Sequence, residues 1–290
     1  MNDIRSIEKD IGELNTLQLV ARAYTEIAAS RMRKTRNSVL LNREFVTSLD
    51  DVFADVRANY AQEVMKLAIK RRGQEGITFL AHNGRTVAVL LSANTGLYGD
   101  IIERTFRMFL EDVRKTPGEI EVALVGKLAL ALFESAMPKH PYTFFELPDT
   151  NITPQSLSQI IGHIVQYEEI RVYYPTFQSA IRQLPSKYII SAETPLSELQ
   201  EQGGRKTKYL FEPSLRDILI FFETEIFASL MDQAIREAQL AKYAARIMTL
   251  DRSGENIKKS LKGLRLDKLK VEHRIKNRKQ LEAISSINLW

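Results

Sequence analysis

Residues 4–27 read IRSIEKDIGELNTLQLVARAYTEI, and their apolar positions set the architecture of the chain. The apolar side chains recur every three or four residues, which is the spacing of a single stripe along an α-helix: Ile4, Ile7, Ile11, Leu14, Leu17, Val20, Tyr24 and Ile27. The C-terminal part repeats this pattern in residues 218–230 and again in residues 250–275. Because a narrow apolar stripe is buried only against a partner, we predict that the two ends of the chain pack on each other.

The distribution of proline separates two helical ends from a middle domain. All nine prolines lie between Pro117 and Pro213, and the flanking stretches are also poor in glycine. Since both residue types interrupt helices, we predict long helices in residues 1–72 and 209–290 and a turn-rich domain in residues 73–208. A whole domain separates the two helices in sequence, so they most simply meet as an antiparallel coiled coil.

The middle domain alternates strand-like and helix-like stretches. β-Branched and apolar runs predict strands at 77–81, 86–92, 121–125, 142–146, 171–174 and 187–191. Helical patterns intervene at 101–115, 127–135 and 154–167, the last with Thr153 as its cap. Strands that alternate with helices indicate a βαβ sheet. The predicted fold class is therefore α/β, with a Rossmann-like domain inserted between the two helices of a long antiparallel coiled coil.

Residues 94–99, NTGLYG, join a strand to a helix through glycines, an arrangement that can bind phosphates. They do not match Gly-x-Gly-x-x-Gly, and the chain contains no Gly-x-x-x-x-Gly-Lys-Ser/Thr loop. Asp100 is suited to cap the following helix, and its charge would repel a phosphate there. We interpret 94–99 as a tight turn and residues 203–207, GGRKT, as a surface loop.

Residue types that support catalysis are absent or scattered. The chain has no cysteine, which excludes disulfides, thiolate metal sites and cysteine nucleophiles. The four histidines show no metal-binding spacing, and the Ser-x-x-Lys pattern at residues 6–9 lacks the motifs that accompany it in β-lactamases. We therefore predict no catalytic residues, no cofactor-binding residues and no metal ligands.

Length and composition are those of a folded protein. A chain of 290 residues with 44% hydrophobic and 27% charged residues is long enough for about two domains and is not a disordered tail. No apolar run reaches the ~18 residues of a spanning helix, and the N-terminus carries both acidic and basic residues, unlike a signal peptide. The sequence predicts a soluble intracellular protein without a membrane span.

Two basic stretches need an interpretation. One contains Arg31, Arg33, Lys34 and Arg36, and the other, residues 251–282, holds eleven Lys and Arg against five Asp and Glu. Nucleic-acid surfaces usually interleave aromatic residues with such charges, and residues 258–279 contain none. We interpret both stretches as solvated or partner-facing helix surfaces rather than nucleic-acid sites.

Four stretches spread along the chain carry a family signature. They are QLVARAYTEIAASRMRK at 18–34, LSANTGLYG at 91–99, YLFEPS at 209–214, and Glu237 followed by AARIM at 244–248 and Asn256. In this order they resemble the gamma subunit of rotary F-type ATP synthases. The chain departs from that family at Glu26, which replaces a usual Met, at Lys242, which replaces a frequent Glu, and at 268–273, where KLKVEH replaces YNKARQ.

The resemblance implies a non-catalytic central-stalk rotor, peripheral to the cytoplasmic face of the inner cell membrane. Its coiled coil would stand inside the hexamer of alpha and beta subunits, and its α/β domain would form a foot on the c-subunit ring beside the epsilon subunit. Proton- or sodium-driven rotation would then be coupled to ATP synthesis or hydrolysis. The implied hexamer-facing residues are Glu26, Arg31, Arg246, Asn256, Leu281, Ile284 and Trp290. The implied residues at the c ring and epsilon are Tyr209, Phe211 and Glu212.

Three other functions fit parts of the sequence. The chain would be the rotor of a specialised paralogue if the departures from the family pattern reflect a different machine. A cytosolic coiled-coil adaptor would use the basic C-terminal stretch to bind nucleic acid. A small-ligand enzyme would use the Rossmann-like middle, in which case residues 73–213 would bind a nucleotide tightly.

Overall fold

The computed structural model describes residues 4–60, 83–116, 118, 120–191, 212 and 214–287. The strand predicted at 77–81, the loop predicted at 203–207 and the site residues Tyr209, Phe211 and Trp290 lie outside these ranges. The chain divides into two compact units. The terminal unit consists of Met1–Ser30 and Arg246–Trp290, and the sheet unit consists of Arg31–Ala245.

Two long helices contribute to both units, and the remaining elements belong to the sheet unit. The helices of the described residues are α1 (Ile4–Asn59), α2 (Ile101–Lys115), α3 (Lys127–Ala136), α4 (Pro154–Ile164) and α5 (Leu215–Ile287). The strands are β1 (Thr86–Leu91), β2 (Ile120–Val125), β3 (Thr143–Phe145), β4 (Glu169–Phe177) and β5 (Gln183–Ser191).

The strands form one mixed sheet in the order β3-β2-β1-β4-β5. β1 pairs in parallel with β2 and β4, so that Val89 lies opposite both Ala123 and Val172, and β3 continues the parallel part. β5 is antiparallel to β4. The chain first adds strands on one side of β1 and then crosses to the other side through α4, as in doubly wound sheets. The predicted fold class is confirmed.

Alternate side chains of β1 supply two apolar cores, one on each face of the sheet. Val87, Val89 and Leu91 pack with α4 and with α5, which contributes Phe227 and Met231. On the opposite face, other residues of β1 and β2 pack with α2 and α3, in a core of Ala88, Leu90, Phe106, Phe109, Val122, Leu124, Phe133 and Tyr173. Helix α5 is therefore part of the domain core as well as part of the helix pair.

β4 and β5 extend further than the sequence patterns predicted, because two prolines interrupt the patterns without ending the strands. Pro175 lies opposite Pro185 in the antiparallel ladder. β1 pairs with β4 only as far as Tyr173, and β5 lies at the edge of the sheet. The N–H group that proline does not have is therefore not needed for strand pairing at either position.

The two predicted helix caps had different outcomes. Thr153 has an extended backbone and forms a capping box with Ser156, so this prediction is confirmed. Asp100 occupies the N-cap position of α2, but its side chain makes no capping hydrogen bond. Its backbone is already helical, with φ −91° and ψ −4°, whereas a capping side chain requires extended angles. The prediction that Asp100 caps α2 was wrong.

Helices α1 and α5 pack antiparallel within the sheet unit. The Arg43 guanidinium donates to the Glu237 carboxylate at 2.5 Å, and the rings of Phe53 and Phe222 lie 5.5 Å apart. Positions further along α1 thus meet positions nearer the start of α5. The terminal unit shows the same direction: Glu8 pairs with Lys268 at 2.7 Å, whereas Gln18, further along α1, lines a groove of α5 that extends back to Lys258. The predicted antiparallel helix pair is confirmed in both units.

The buried stripe of α1 differs from the predicted stripe after Leu14. Positions at alternating steps of three and four remain buried or half-buried in the terminal unit: Ile4, Ile7, Ile11, Leu14, Gln18, Ala21, Thr25 and Ala28. Four predicted members are instead about half exposed: Leu17, Val20, Tyr24 and Ile27. A coiled coil keeps a 3.5-residue period, and after Leu14 this period falls on small and polar side chains. The larger apolar side chains therefore form an exposed stripe beside the helix contact.

The C-terminal end of α5 has no helix beside it in the described part of the terminal unit. Every side chain that is described between residues 273 and 285 is exposed. The register that pairs Glu8 with Lys268 brings the first described turn of α1 level with residue 272, so α5 continues past it. No helix among the described residues combines the length and the hydropathy that crossing a membrane requires.

Candidate functional site

The connection from β1 to α2, residues 92–100, lies where a doubly wound sheet usually binds its ligand. Strand order reverses between β1 and β4, and ligands of such folds bind beyond the carboxyl ends of the strands at this point. The side chain of Asn94 fixes the turn: it donates to the Leu147 carbonyl at 2.8 Å and accepts from the Lys127 N–H at 2.9 Å. A ligand at this position would meet the backbone N–H groups of Asn94 and Thr95.

Those N–H groups are bound to a carboxylate of the chain itself. The Asn94 N–H donates to Asp149 Oδ1 at 3.1 Å, and the Thr95 N–H donates to Asp149 Oδ2 at 3.1 Å. The Thr95 hydroxyl adds a third hydrogen bond to Asp149 Oδ2, at 2.8 Å. Backbone N–H groups arranged in this way form an anion-binding concavity, and Asp149 occupies it as a phosphate would.

Helix α5 contributes the counter-charge. Lys242 Nζ donates to the Ser92 carbonyl at 2.7 Å and lies 3.5 Å from Asp149 Oδ1. Its side chain is only 8% exposed, and that of Asp149 is 12% exposed. The Lys242 ammonium also lies 6.0 Å from the centre of the Tyr98 ring, within range of a cation–π interaction. Three segments of the sheet unit therefore meet in one buried ion pair.

The charged state of Asp149 is favoured despite burial. Burial alone would raise the pKa of its carboxyl group, because a low-dielectric environment disfavours the charge. The Lys242 ammonium and the hydrogen bonds from Asn94 and Thr95 act in the opposite direction and bring the pKa below its ordinary value. Asp149 is therefore a carboxylate at neutral pH and Lys242 retains a partner for its charge.

The backbone of Asp149 is held by the same helix. Gln239 Nε2 and the Tyr243 hydroxyl both donate to the Asp149 carbonyl oxygen, at 3.2 and 3.1 Å. These contacts attach the segment after β3 to α5. The described residues include no group of three His, Asp or Glu side chains that could hold a metal ion. What it does is fix α5 to the carboxyl edge of the sheet.

Seven of the ten predicted site residues lie within the described ranges. Glu26, Arg31, Glu212 and Asn256 are exposed, and Arg246 is half-buried. Leu281 and Ile284 lie on the C-terminal end of α5 and are 65% and 58% exposed. Tyr209, Phe211 and Trp290 lie outside the described ranges.

Sequence reasoning missed the residues that surround Lys242. Asp149, Gln239 and Tyr243 belong to no recognised motif, and their contacts join positions about 90 residues or more apart in sequence. One signal was available in the sequence. Residues 234–245, AIREAQLAKYAA, are rich in alanine and apolar residues, and a lysine in a buried segment of this kind requires an anionic partner.

Comparison with known proteins gives one family. The family model described as ATP synthase matches residues 3–271. The ATP synthase gamma chain of Desulfitobacterium hafniense is 22% identical over 276 residues, which cover 92% of this chain and 91% of that one. The gamma chain of a Roseiflexus species is 24% identical over 285 residues, with 92% and 91% covered.

Solved structures show the same fold. The rotor of the mitochondrial ATP synthase of Euglena gracilis aligns with a TM-score of 0.63 at 14% identity, over 94% of this chain and 98% of that one. The central stalk and c-ring structure of the Tetrahymena thermophila mitochondrial enzyme aligns with a TM-score of 0.57 at 15% identity, over 81% and 99%. The family indicated by the four sequence stretches is confirmed: the chain belongs to the ATP synthase gamma chain family.

Proposed function

We propose that this chain is the central-stalk rotor of an F-type ATP synthase or ATPase. It would couple proton- or sodium-driven rotation of a c-subunit ring to ATP synthesis or hydrolysis in a hexamer of alpha and beta subunits. The observation that carries the proposal is the family match over residues 3–271 together with the paired long helices of the fold. An asymmetric rod that presents different surfaces to equivalent partners can bias each of them between states.

The rotor itself would be non-catalytic. The position at which a doubly wound sheet usually binds a ligand is filled by Asp149, whose carboxylate accepts from Asn94 and Thr95. The ammonium group of Lys242 already pairs with Asp149 and donates a hydrogen bond to the Ser92 carbonyl. This supports a structural role for the α/β domain, with nucleotide chemistry left to the hexamer.

The α/β domain, residues 73–208, would form the foot of the rotor. Tyr209, Phe211 and Glu212 stand where the chain returns to the coiled coil, and we place them against the c ring and the epsilon subunit. The flanking residues 1–72 and 209–290 would form the shaft. The assembly would be peripheral to the cytoplasmic face of the inner membrane.

The shaft would face the hexamer through the terminal unit. Its α1 segment carries the exposed stripe of Leu17, Val20, Tyr24 and Ile27, which is available to a surrounding partner. We include in the hexamer contact three charged or polar residues of the same unit, Glu26, Arg246 and Asn256, together with Arg31, which begins the sheet unit.

The C-terminal end of α5 would bind the hexamer through apolar side chains rather than through hydrogen bonds. Leu281 and Ile284 are exposed, and Trp290 follows them in sequence. A rotor end inside a ring meets equivalent surfaces in succession, and strong directional hydrogen bonds would hold it at one of them. Apolar contact is non-directional and scales with buried area, at roughly 25 cal/mol per Å².

Cross-linking tests this proposal directly because the chain has no cysteine, so that each introduced thiol is unique. In the assembled complex, Ile284→Cys is coupled through a disulfide to a photoreactive cross-linker; on illumination it should link to an alpha or beta subunit, and ATP hydrolysis should stop until reductant cleaves the disulfide. The matched control is Ala180→Cys, in the exposed turn between β4 and β5 of the proposed foot. It should form no link to the hexamer. Links from position 180 but not from position 284 would reverse the proposed orientation.

A further inference from the structure

A cleft of about 460 Å³ lies in the sheet unit between α1, α5 and the segment that follows β3. The α1 wall carries Arg31, Lys34, Thr35 and Ser38. The α5 wall and the segment after β3 complete it with Asp232, Arg236, Gln239, Tyr243, Thr150, Asn151 and Ile152. Its volume is in the range of small-molecule sites, about 300–1,000 Å³, and its lining is mainly polar.

The charges of the cleft are not balanced within the chain. Three cationic side chains, Arg31, Lys34 and Arg236, face a single anionic one, Asp232. Asp232 is already paired with Arg236 at 2.5 Å. Among the residues that the structure describes, the side chains of Arg31 and Lys34 make no ion pair or hydrogen bond. Both side chains are exposed, so two cations one helical turn apart at this cleft are available to an anion from outside the chain.

The wall opposite α1 is held in place before any ligand arrives. Gln239 and Tyr243 donate to the carbonyl oxygen of Asp149, the residue that immediately precedes this wall. Asn151 has a positive φ of 56°, the left-handed conformation that asparagine tolerates better than most other residues in tight turns. A wall fixed in this way lowers the entropy cost of binding a small ligand.

We propose that the cleft binds an anion with two or more phosphoryl groups, held by Arg31 and Lys34 from α1 and by Arg236 from α5. The fork of an arginine matches phosphate oxygens, and a lysine adds a point charge. Two sources share this chemistry, a free diphosphate and the phosphate chain of a nucleotide. Walls on three sides favour a compact ligand of this kind over an acidic protein surface.

The test is isothermal titration calorimetry of the purified full chain in low-salt buffer, with pyrophosphate, ATP and inorganic phosphate as separate ligands. Pyrophosphate should bind saturably and more tightly than inorganic phosphate. The double variant R31Q/K34Q should weaken pyrophosphate binding roughly 10- to 100-fold, since it removes two charge-assisted contacts. The matched control R33Q/R36Q removes the same charge from the same helix at positions outside the cleft, and should leave the dissociation constant unchanged.

The ligands distinguish the two sources. ATP binding with the same sensitivity to R31Q/K34Q would identify the nucleotide phosphate chain, and pyrophosphate binding without ATP binding would identify a free diphosphate. Equal losses in both double variants would show general attraction to a basic helix and overturn the proposal. Absence of saturation, or displacement of pyrophosphate by a glutamate-rich peptide at equal concentration, would also overturn it.

Discussion

Residues 227–245 of helix α5 include no exposed side chain, whereas every side chain that is described in residues 273–285 of the same helix is exposed. The first stretch contains six alanines and packs against the sheet and its loops. The second contains four Lys and Arg residues and a few isolated apolar side chains. Secondary structure is the same in both stretches, so the difference lies in what each one contacts.

The two stretches of α5 should therefore contribute to different properties, the first to the stability of the fold and the second to assembly with partners. Substitutions in the buried stretch should change the free energy of unfolding, because they alter a packed core or a paired charge. Substitutions in the exposed stretch should leave that free energy unchanged and alter only assembly with partners.

The largest expected effect is at the ion pair. Asp149→Ala leaves Lys242 with a buried charge and frees the N–H groups of Asn94 and Thr95, so it should lower the free energy of unfolding by roughly 3–5 kcal/mol. Urea denaturation followed by circular dichroism measures this change. Asp100→Ala removes a carboxylate from the same connection that makes no capping bond, and should cost less than about 0.5 kcal/mol. Similar losses in both variants would contradict the assigned role of Asp149.

Packing of α5 on the sheet should give the next largest effect. Met231 is fully buried in the core between the sheet, α4 and α5. Met231→Ala should therefore lower the free energy of unfolding by roughly 2–5 kcal/mol, because it removes apolar contacts and leaves a cavity. Leu281→Ala on the same helix should stay within about 0.5 kcal/mol. The same urea titration compares the two. A large loss at Leu281 would show that the C-terminal end of α5 has a partner within the chain.

Low pH should weaken the buried ion pair between Asp149 and Lys242. The pKa of Asp149 is lowered in the folded protein, so its contribution is complete above the unfolded value near 3.8 and is lost as the pH falls through the folded pKa. The stability difference between the wild type and Asp149→Asn should therefore be constant near neutral pH and shrink below about pH 4. Urea titrations between pH 7 and pH 3 measure it. A difference that grows on acidification would contradict the lowered pKa.

The smallest effect on stability is expected at the end of α5. Deletion of Leu281–Trp290 should leave the unfolding transition of the α/β domain unchanged, and lower the affinity for the alpha–beta hexamer and the torque of the assembled motor. Sedimentation and single-molecule rotation measure these two quantities. Glu272→Ala and His273→Ala should leave coupling intact. If they uncouple the motor while the deletion does little, polar contacts rather than apolar shape operate there.

Local patterns allowed much of this fold to be predicted, and the limits have physical causes. The boundaries of α2 followed from a continuous helical pattern, and Thr153 was recognisable as the cap of α4 from its residue type, whereas the capping box that it forms with Ser156 was seen only in the structure. The stripe of α1 was misplaced after Leu14 because hydrophobicity indicates which side chains are apolar, whereas the coiled-coil period determines which ones face the partner. The Asp149–Lys242 pair was not predictable, since it depends on where two distant segments meet.

The long sequence separation of the helix contacts has a consequence during translation. Asn42 bonds to the Ser229 carbonyl 187 residues later, and Arg43 to Glu237 194 residues later. At about 5–20 residues per second, the ribosome needs roughly 10–40 s to supply that partner after α1 is made. Throughout this interval the α1 residues that pack against α5 in the folded protein are without that partner. The nascent chain should therefore depend on holdase chaperones more strongly than a protein of equal size with local contacts.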